Sequence, residues 1–404
     1  MDWLEDLGFV GNPFFLEPID SSLKGFVNRT KEKDSLEKCI ITRRGKYILV
    51  GSIGLGKTSL LNIMEGYSKD NGFMIIKTDF LHQQSKEDFY NQLIKGLEDI
   101  VEKYPKIKKK IEKMLEKTQI ISRRKKKGAK TKPEVSSKIS AILIEFAAKV
   151  IGESEETEDI EFFVPPYLQQ AIDVFNESTK IITDEKPLII ISDNLDKLTP
   201  EAFNTILKSI IDALPTHLVF LTTGNYTHLS LENVALAQNV FDLNIDIPEI
   251  ETTAQIREFV DGRMMAFSKN TSVSPIHFPN DVLNLLLEKT KGNLRETFRY
   301  CFGAIVEYGN QISRDNMIKT IKTIDATLLK NVDERDKDIL KNMKEEKTYT
   351  LSQLSQIANI HKKTLWGRIK NLIQLNLIFK ESAGKGRGKE DRYYIPAVIK
   401  EIIE

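Results

Sequence analysis

Tyr47-Ile48-Leu49-Val50-Gly51-Ser52-Ile53-Gly54-Leu55-Gly56-Lys57-Thr58-Ser59-Leu60-Leu61 decides how this chain folds. An apolar run stops at Gly51, and Gly51, Gly56, Lys57 and Thr58 fill every fixed position of the G-x-x-x-x-G-K-[ST] phosphate loop. The glycines let the backbone curl so that the N–H groups of Ser52, Ile53, Gly54, Leu55, Gly56 and the residues after them face phosphate oxygens. A helix carrying Leu60, Leu61 and Met64 on one face follows and adds its positive N-terminal end. In this pattern Lys57 reaches the β- and γ-phosphates, and Thr58 ligates Mg²⁺ through its hydroxyl.

The loop calls for a sheet, and the chain supplies one. Apolar runs of strand length recur at Phe73–Lys77, Leu188–Asp193, Leu218–Asn225 and Phe241–Pro248, with helical periodicity between them. Alternating strand and helix predicts an α/β fold with a parallel sheet covered on both faces. The second of these runs, Leu188-Ile189-Ile190-Ile191-Ser192-Asp193, ends in an acid. A carboxylate there can hold Mg²⁺ or its water shell beside Thr58, which makes Asp193 the second metal-site residue.

The 404 residues are too many for one ordinary domain. Lys and Arg number 59 against 58 Asp and Glu, so the whole chain carries no charge argument for nucleic acid or membrane. Any such argument is local. Cys39 and Cys301 stand far apart without metal-ligand spacing and read as core thiols of a reducing compartment. An acidic start and the lack of a membrane-length apolar run predict a cytoplasmic protein.

Composition shifts between residues 103 and 161, where a base-rich stretch with Arg123-Arg124-Lys125-Lys126-Lys127 precedes an acid-rich one. We read this segment as an insertion with a basic tip, either a nucleic-acid contact or a solvated loop. From Thr252 the pattern is wholly helical. Beyond Asp333, three helix candidates and a hairpin with a Gly384-Lys385-Gly386-Arg387-Gly388 tip look like a winged helix, whose recognition helix enters the major groove. Lys362, Lys363, Arg368 and Lys370 lie on or beside that helix, and Lys385, Arg387, Lys389 and Arg392 on the wing, which predicts double-stranded DNA as a partner. Winged helices also serve as protein-docking modules.

Asn12-Pro13-Phe14, then Phe26-Val27-Asn28-Arg29 with a helix, then the phosphate loop, resembles the opening of AAA+ ATPases of the origin-initiator type and of related transposition and STAND ATPases. The resemblance implies a P-loop sheet core of AAA+ type over residues 1–250, a helical lid over 251–330 and a winged helix over 331–404. It also implies ATP and Mg²⁺ as ligands. Asn28 and Arg29 would lie near the adenine, although Arg29 reads equally as a surface cation. Asn225 matches sensor 1 and Arg295, after Gly292-Asn293, matches sensor 2. The sequence Asp193-Asn194-Leu195-Asp196 resembles the Asp-Glu-x-Asp of initiator ATPases except at Asn194, where the water-activating Glu is expected. An amide orients water but accepts no proton, leaving Asp196 as a base or as a turn acid. Between Asn225 and Asp246 there is no Arg or Lys to act as an arginine finger. The reading is therefore an ATP-controlled DNA-binding protein with slow hydrolysis. A STAND-like signalling or defence switch, whose nucleotide state controls homo-oligomerisation, is the alternative.

Overall fold

A fully apolar strand needs cover on both faces, and the strands of this chain receive it in one parallel sheet. The structure, a computed structural model, describes residues 3–19, 26, 28–81, 85–118, 120–124, 138–151, 159–162, 168–225, 231–269, 276–329, 332–344, 347–374, 377–381 and 391–395. It divides into two units, one of Pro18–Leu23 and Arg29–Pro248, the other of Met1–Glu17, Lys24–Asn28 and Glu249–Glu404.

In the first unit the described strands are β1 (Gly45–Val50), β2 (Met74–Asp79), β3 (Ile121–Arg124), β4 (Asp159–Phe162), β5 (Leu188–Asp193), β6 (Val219–Gly224) and β7 (Leu243–Asp246). Five of them form a sheet in the order β2-β5-β6-β1-β7, with every adjacent pair parallel. Parallel strands joined through helices bring all their C-terminal ends to one edge, where ligands of open α/β sheets bind. The register aligns Asp79 with Asp193, Ser192 with Thr222, and Val50 with Gly224. Strand β5 is buried from Leu188 to Ile191, as its unbroken apolar run requires. The helix Lys57–Asp70 follows the phosphate loop and buries Leu60, Leu61, Ile63 and Met64.

The segment from 103 to 161 is more than a charged insertion. Pro105 starts a helix, Pro105–Lys117, whose Ile107, Ile111 and Leu115 recur at helical spacing and are buried. The helix Lys138–Ile151 buries Phe146, Ala147 and Val150, and both join the same apolar core as the sheet. Strands β3 and β4, on either side of the helix Lys138–Ile151 along the chain, pair antiparallel. The basic tip at 125–137 lies outside the described residues. The next helix is Leu168–Thr183, and residues 163–167 also lie outside them.

The second unit begins with the aromatic N-terminal segment. Phe14 packs against Phe278 and Phe298 at centroid distances of 6.1 and 5.6 Å, and Phe9 forms a β-bridge with Ser268. These contacts fasten the segment to the helices Thr253–Ala266, Asn280–Thr290, Leu294–Tyr308 and Arg314–Leu329. Within them Lys289 Nζ lies 2.7 Å from Asp325, which also accepts from the Tyr300 hydroxyl at 2.7 Å. Further on come the helix Glu334–Asn342, β8 (Tyr349–Thr350), the helices Leu351–Ala358 and Lys362–Gln374, β9 (Phe379–Glu381) and β10 (Arg392–Tyr394). The last three strands make an antiparallel sheet in the order β8-β10-β9. Thr350 and Gln353 form a reciprocal capping box that starts the second of these helices. Among the described residues no helix is long and apolar enough to cross a membrane.

Helix Lys86–Lys103 crosses β2 at Gly96, where an added Cβ would meet Ile76 Cγ2 at 2.5 Å. Ala is favoured over Gly in a helix by up to about 1 kcal/mol. Overpacking of a closed core costs about 1–3 kcal/mol and outweighs that gain. Gly96→Ala is therefore expected to destabilise the first unit by roughly 1–2 kcal/mol net, measured as a shift in the urea midpoint without change in slope.

Candidate nucleotide site

The loop between β1 and its helix has the backbone that the glycines permit. Gly54 and Gly56 take φ values of 87° and 89°, and Gly56 is the N-cap of a helix with no side-chain cap. The first-turn N–H groups of Lys57–Asp70 are thus left to an external acceptor, the condition for anion binding. At Gly51 a Cβ would come within 3.1 Å of the Ile247 carbonyl and side chain, so close approach of the backbone requires glycine there. Its N–H donates to the Gly224 carbonyl at 3.3 Å, which sets the buried Asn225 directly beside the loop.

Lys57 folds back over the loop, its ammonium donating to the carbonyls of Gly51 at 2.7 Å and Ser52 at 2.9 Å. Burial pushes its pKa down, while the negative charges of Asp196 and Asp193 pull the other way. A desolvated cation hydrogen-bonded to carbonyl dipoles is a strong point of attachment for phosphate. The Ser59 hydroxyl accepts from the Ile19 N–H at 3.0 Å, so its side chain ties down the preceding segment.

At the ends of β5 and β6 the polar groups meet. Thr58 Oγ1 donates to Asp193 Oδ2 at 2.7 Å, and the Thr223 hydroxyl donates to Asp193 Oδ1. Asn194 adopts the left-handed conformation, φ 64°, which Asn tolerates better than most side chains. Its N–H reaches Asp193 Oδ1 at 2.9 Å and Thr223 Oγ1 at 3.1 Å. Its side-chain amide turns to Asp79, with Nδ2 at 3.1 Å from both carboxylate oxygens. Asp196 lies in the 3₁₀ turn Leu195–Lys197, 3.6 Å from Lys197 Nζ, and acts on Lys57 through its field.

Residues 46–214 match the model of the KAP family P-loop domain. Among solved structures, the Aeropyrum pernix Orc1 protein in complex with DNA is similar at 12% identity over 94% of this chain and 92% of that chain, with a TM-score of 0.48. RuvB from Thermotoga maritima is similar at 14% identity over 95% and 96%, with a TM-score of 0.42. None of the curated proteins compared with the chain matches it.

The parallel sheet thus brings together Gly51 to Thr58, Asp193, Asn194 and Asn225. Sequence reasoning passed over Asp79 and gave Thr223 no contact of its own. A signal was there: β2 and β5 end alike, in Thr78-Asp79 and Ser192-Asp193, and the register pairs those ends. Among the described residues no group of three His, Cys, Asp or Glu could hold a metal by itself. A hydroxyl and one carboxylate in contact fit Mg²⁺, which takes few protein ligands and completes its shell with phosphate and water.

The remaining candidates are placed differently. Arg29 is buried, at 8% exposure, and donates to the Pro248 carbonyl at 3.1 Å, with its pKa lowered by burial. It is a tether for the helix Thr30–Ile41 and not a surface cation. Asn28, in the second unit, has φ 54° and donates its amide to Glu258. Arg295 is exposed at the start of the helix Leu294–Tyr308, where Asn293 Oδ1 accepts its backbone N–H at 3.1 Å.

Lys362, Lys363 and Lys370 are exposed, the last with its ammonium 5.7 Å from the Trp366 ring centroid. Arg368 is partly buried and paired with acids. Its guanidinium bonds Asp336 at 2.8 Å and Asp333 at 3.4 Å, an arrangement that fastens two helices. Arg392 is exposed and donates to Thr348 Oγ1 at 3.3 Å. Lys385, Arg387 and Lys389 lie outside the described residues.

Thr223 is the hinge of the polar cluster, since one hydroxyl serves both Asp193 and the Asn194 N–H. Thr223→Val keeps the shape and removes both bonds. Asp193 Oδ1 keeps the Asn194 N–H at 2.9 Å, so the loss is that of a hydrogen bond to a charged group, about 1.5–3 kcal/mol, and the variant should lose about that much unfolding free energy and bind Mg²⁺-nucleotide more weakly, as read by denaturation and calorimetry.

Proposed function

We propose that this chain is an ATP-binding switch that contacts duplex DNA through its C-terminal elements and hydrolyses ATP slowly. The observation that carries the reading is the contact of Thr58 with Asp193 beside a helix start left uncapped behind the glycine loop. In this reading Lys57 moves from the carbonyls of Gly51 and Ser52 to the β- and γ-phosphates. Thr58 and Asp193 hold Mg²⁺, which neutralises phosphate charge when bound. Asn225 contacts the γ-phosphate or the attacking water, and Arg29 borders the adenine.

The order helix, strand, helix, helix, strand, strand beyond Asp333, with its three-stranded antiparallel sheet, supports reading this part as a winged helix. Exposed Lys362, Lys363 and Lys370, together with Arg392, give it a cationic face, to which the sequence adds Lys385, Arg387 and Lys389. The commitment of Arg368 to Asp333 and Asp336 favours a second reading. In that reading the module docks protein, and nucleotide exchange drives self-assembly in signalling or defence.

Lys57→Ala should weaken ATP binding severely in a folded protein, and calorimetry checks it. Unchanged affinity would remove the site assignment. Mobility-shift titrations of the full chain on random duplex, with ATP, ADP or no nucleotide, separate the two readings. Replacing Lys385, Arg387 and Lys389 by Ala should weaken binding evenly across sequences and flatten the salt slope by roughly one unit per lost phosphate contact. Assembly that follows the nucleotide with no DNA affinity at low salt would select the signalling reading.

A further inference from the structure

The strand end that should carry a water-activating carboxylate carries Asn194, yet a carboxylate stands against it. Asn194 Nδ2 lies 3.1 Å from both oxygens of Asp79, and the Leu81 N–H donates to Asp79 Oδ1 at 2.7 Å. A carboxylate accepts and an amide nitrogen donates, so this contact fixes which end of Asn194 is which. The nitrogen faces Asp79 and the carbonyl oxygen Oδ1 remains as an acceptor. Asp79 is itself exposed at the end of edge strand β2, level in register with Asp193.

Resting on the nucleotide reading above, we propose that Asp79 is the catalytic base of this site and that Asn194 aligns the water it deprotonates. Asn194 Oδ1 accepts one O–H of the attacking water, and Asp79 takes the proton of the other. As that O–H bond breaks, the water oxygen bonds to the γ-phosphorus. The bond from the γ-phosphorus to the β,γ-bridging oxygen breaks with its electron pair going to ADP. The proton on Asp79 then passes to bulk water, which its exposure allows. The division of labour places base and aligning amide on β2 and on the residue after β5, so one hydrogen-bonded pair does the work of a single glutamate.

The test is single-turnover hydrolysis of Mg²⁺-ATP by the full chain, with ATP affinity measured by calorimetry on each protein. Asp79→Asn keeps an acceptor for Asn194 and removes only the basicity. It should lower the rate on the order of 10²-fold or more, the usual worth of a general base, with ATP affinity within about twofold. The double variant Asp79→Asn with Asn194→Glu exchanges carboxylate and amide across the same contact, and should recover the rate to within about tenfold of wild type. Hydrolysis by Asp79→Asn at the wild-type rate overturns the proposal, as does a wild-type chain that binds ATP without measurable turnover. A double variant no faster than Asp79→Asn also overturns it, because the pair would then not be the working unit. A wild-type chain that fails to bind ATP overturns the nucleotide reading itself, and the calorimetric arm separates that outcome from the others.

Discussion

The bond from the Thr58 hydroxyl to the Asp193 carboxylate is the contact on which the site depends. It ties the first turn of the helix after β1 to the end of β5, two strands away in the sheet. Nothing local to either segment produces it. It exists because β6 lies between β1 and β5 in a parallel register that brings their C-terminal ends level. The Thr223 hydroxyl at the end of β6 then fills the gap, bonding the other oxygen of the same carboxylate.

Burial explains the chemistry of the loop. Lys57 is a desolvated cation whose ammonium has only carbonyl oxygens as bonded partners among the described residues, with the acids of Asp193 and Asp196 acting at longer range. Such a charge is costly in a low-dielectric setting, and an incoming polyphosphate relieves that cost more effectively than the carbonyls do. The uncapped helix start adds the same sign of field. The loop is therefore prepared for anions before any arrives.

Charge in the rest of the chain is handled by pairing. Lys289 is buried with Asp325 and Tyr300, and the Tyr300 hydroxyl is pushed far up in pKa by burial and by the adjacent carboxylate. Arg29 and Arg368 are likewise spent on holding elements together. Cys301 is fully buried with its thiol pushed up by desolvation, as inert as its isolation in the sequence suggested.

Much of this was determined by sequence alone. The phosphate loop, the apolar runs that become β1, β2, β5, β6 and β7, and the acid at Asp193 were all legible, because fixed spacing and uninterrupted hydrophobicity are local properties of a chain. The helix Pro105–Lys117 was harder to see, since lysines outnumber its three buried apolar residues and only their spacing betrays the buried face. Tertiary structure alone decided the rest. Asp79 reads in sequence as the polar end of a strand, and Arg368 as one more base on a basic helix. Only the parallel register sets Asp79 against Asn194, and only packing of the helix Lys362–Gln374 against Glu334–Asn342 gives Arg368 its acids. Which distant groups meet depends on strand order and helix packing, and a hydrogen bond between residues far apart in the chain leaves no periodic trace in it.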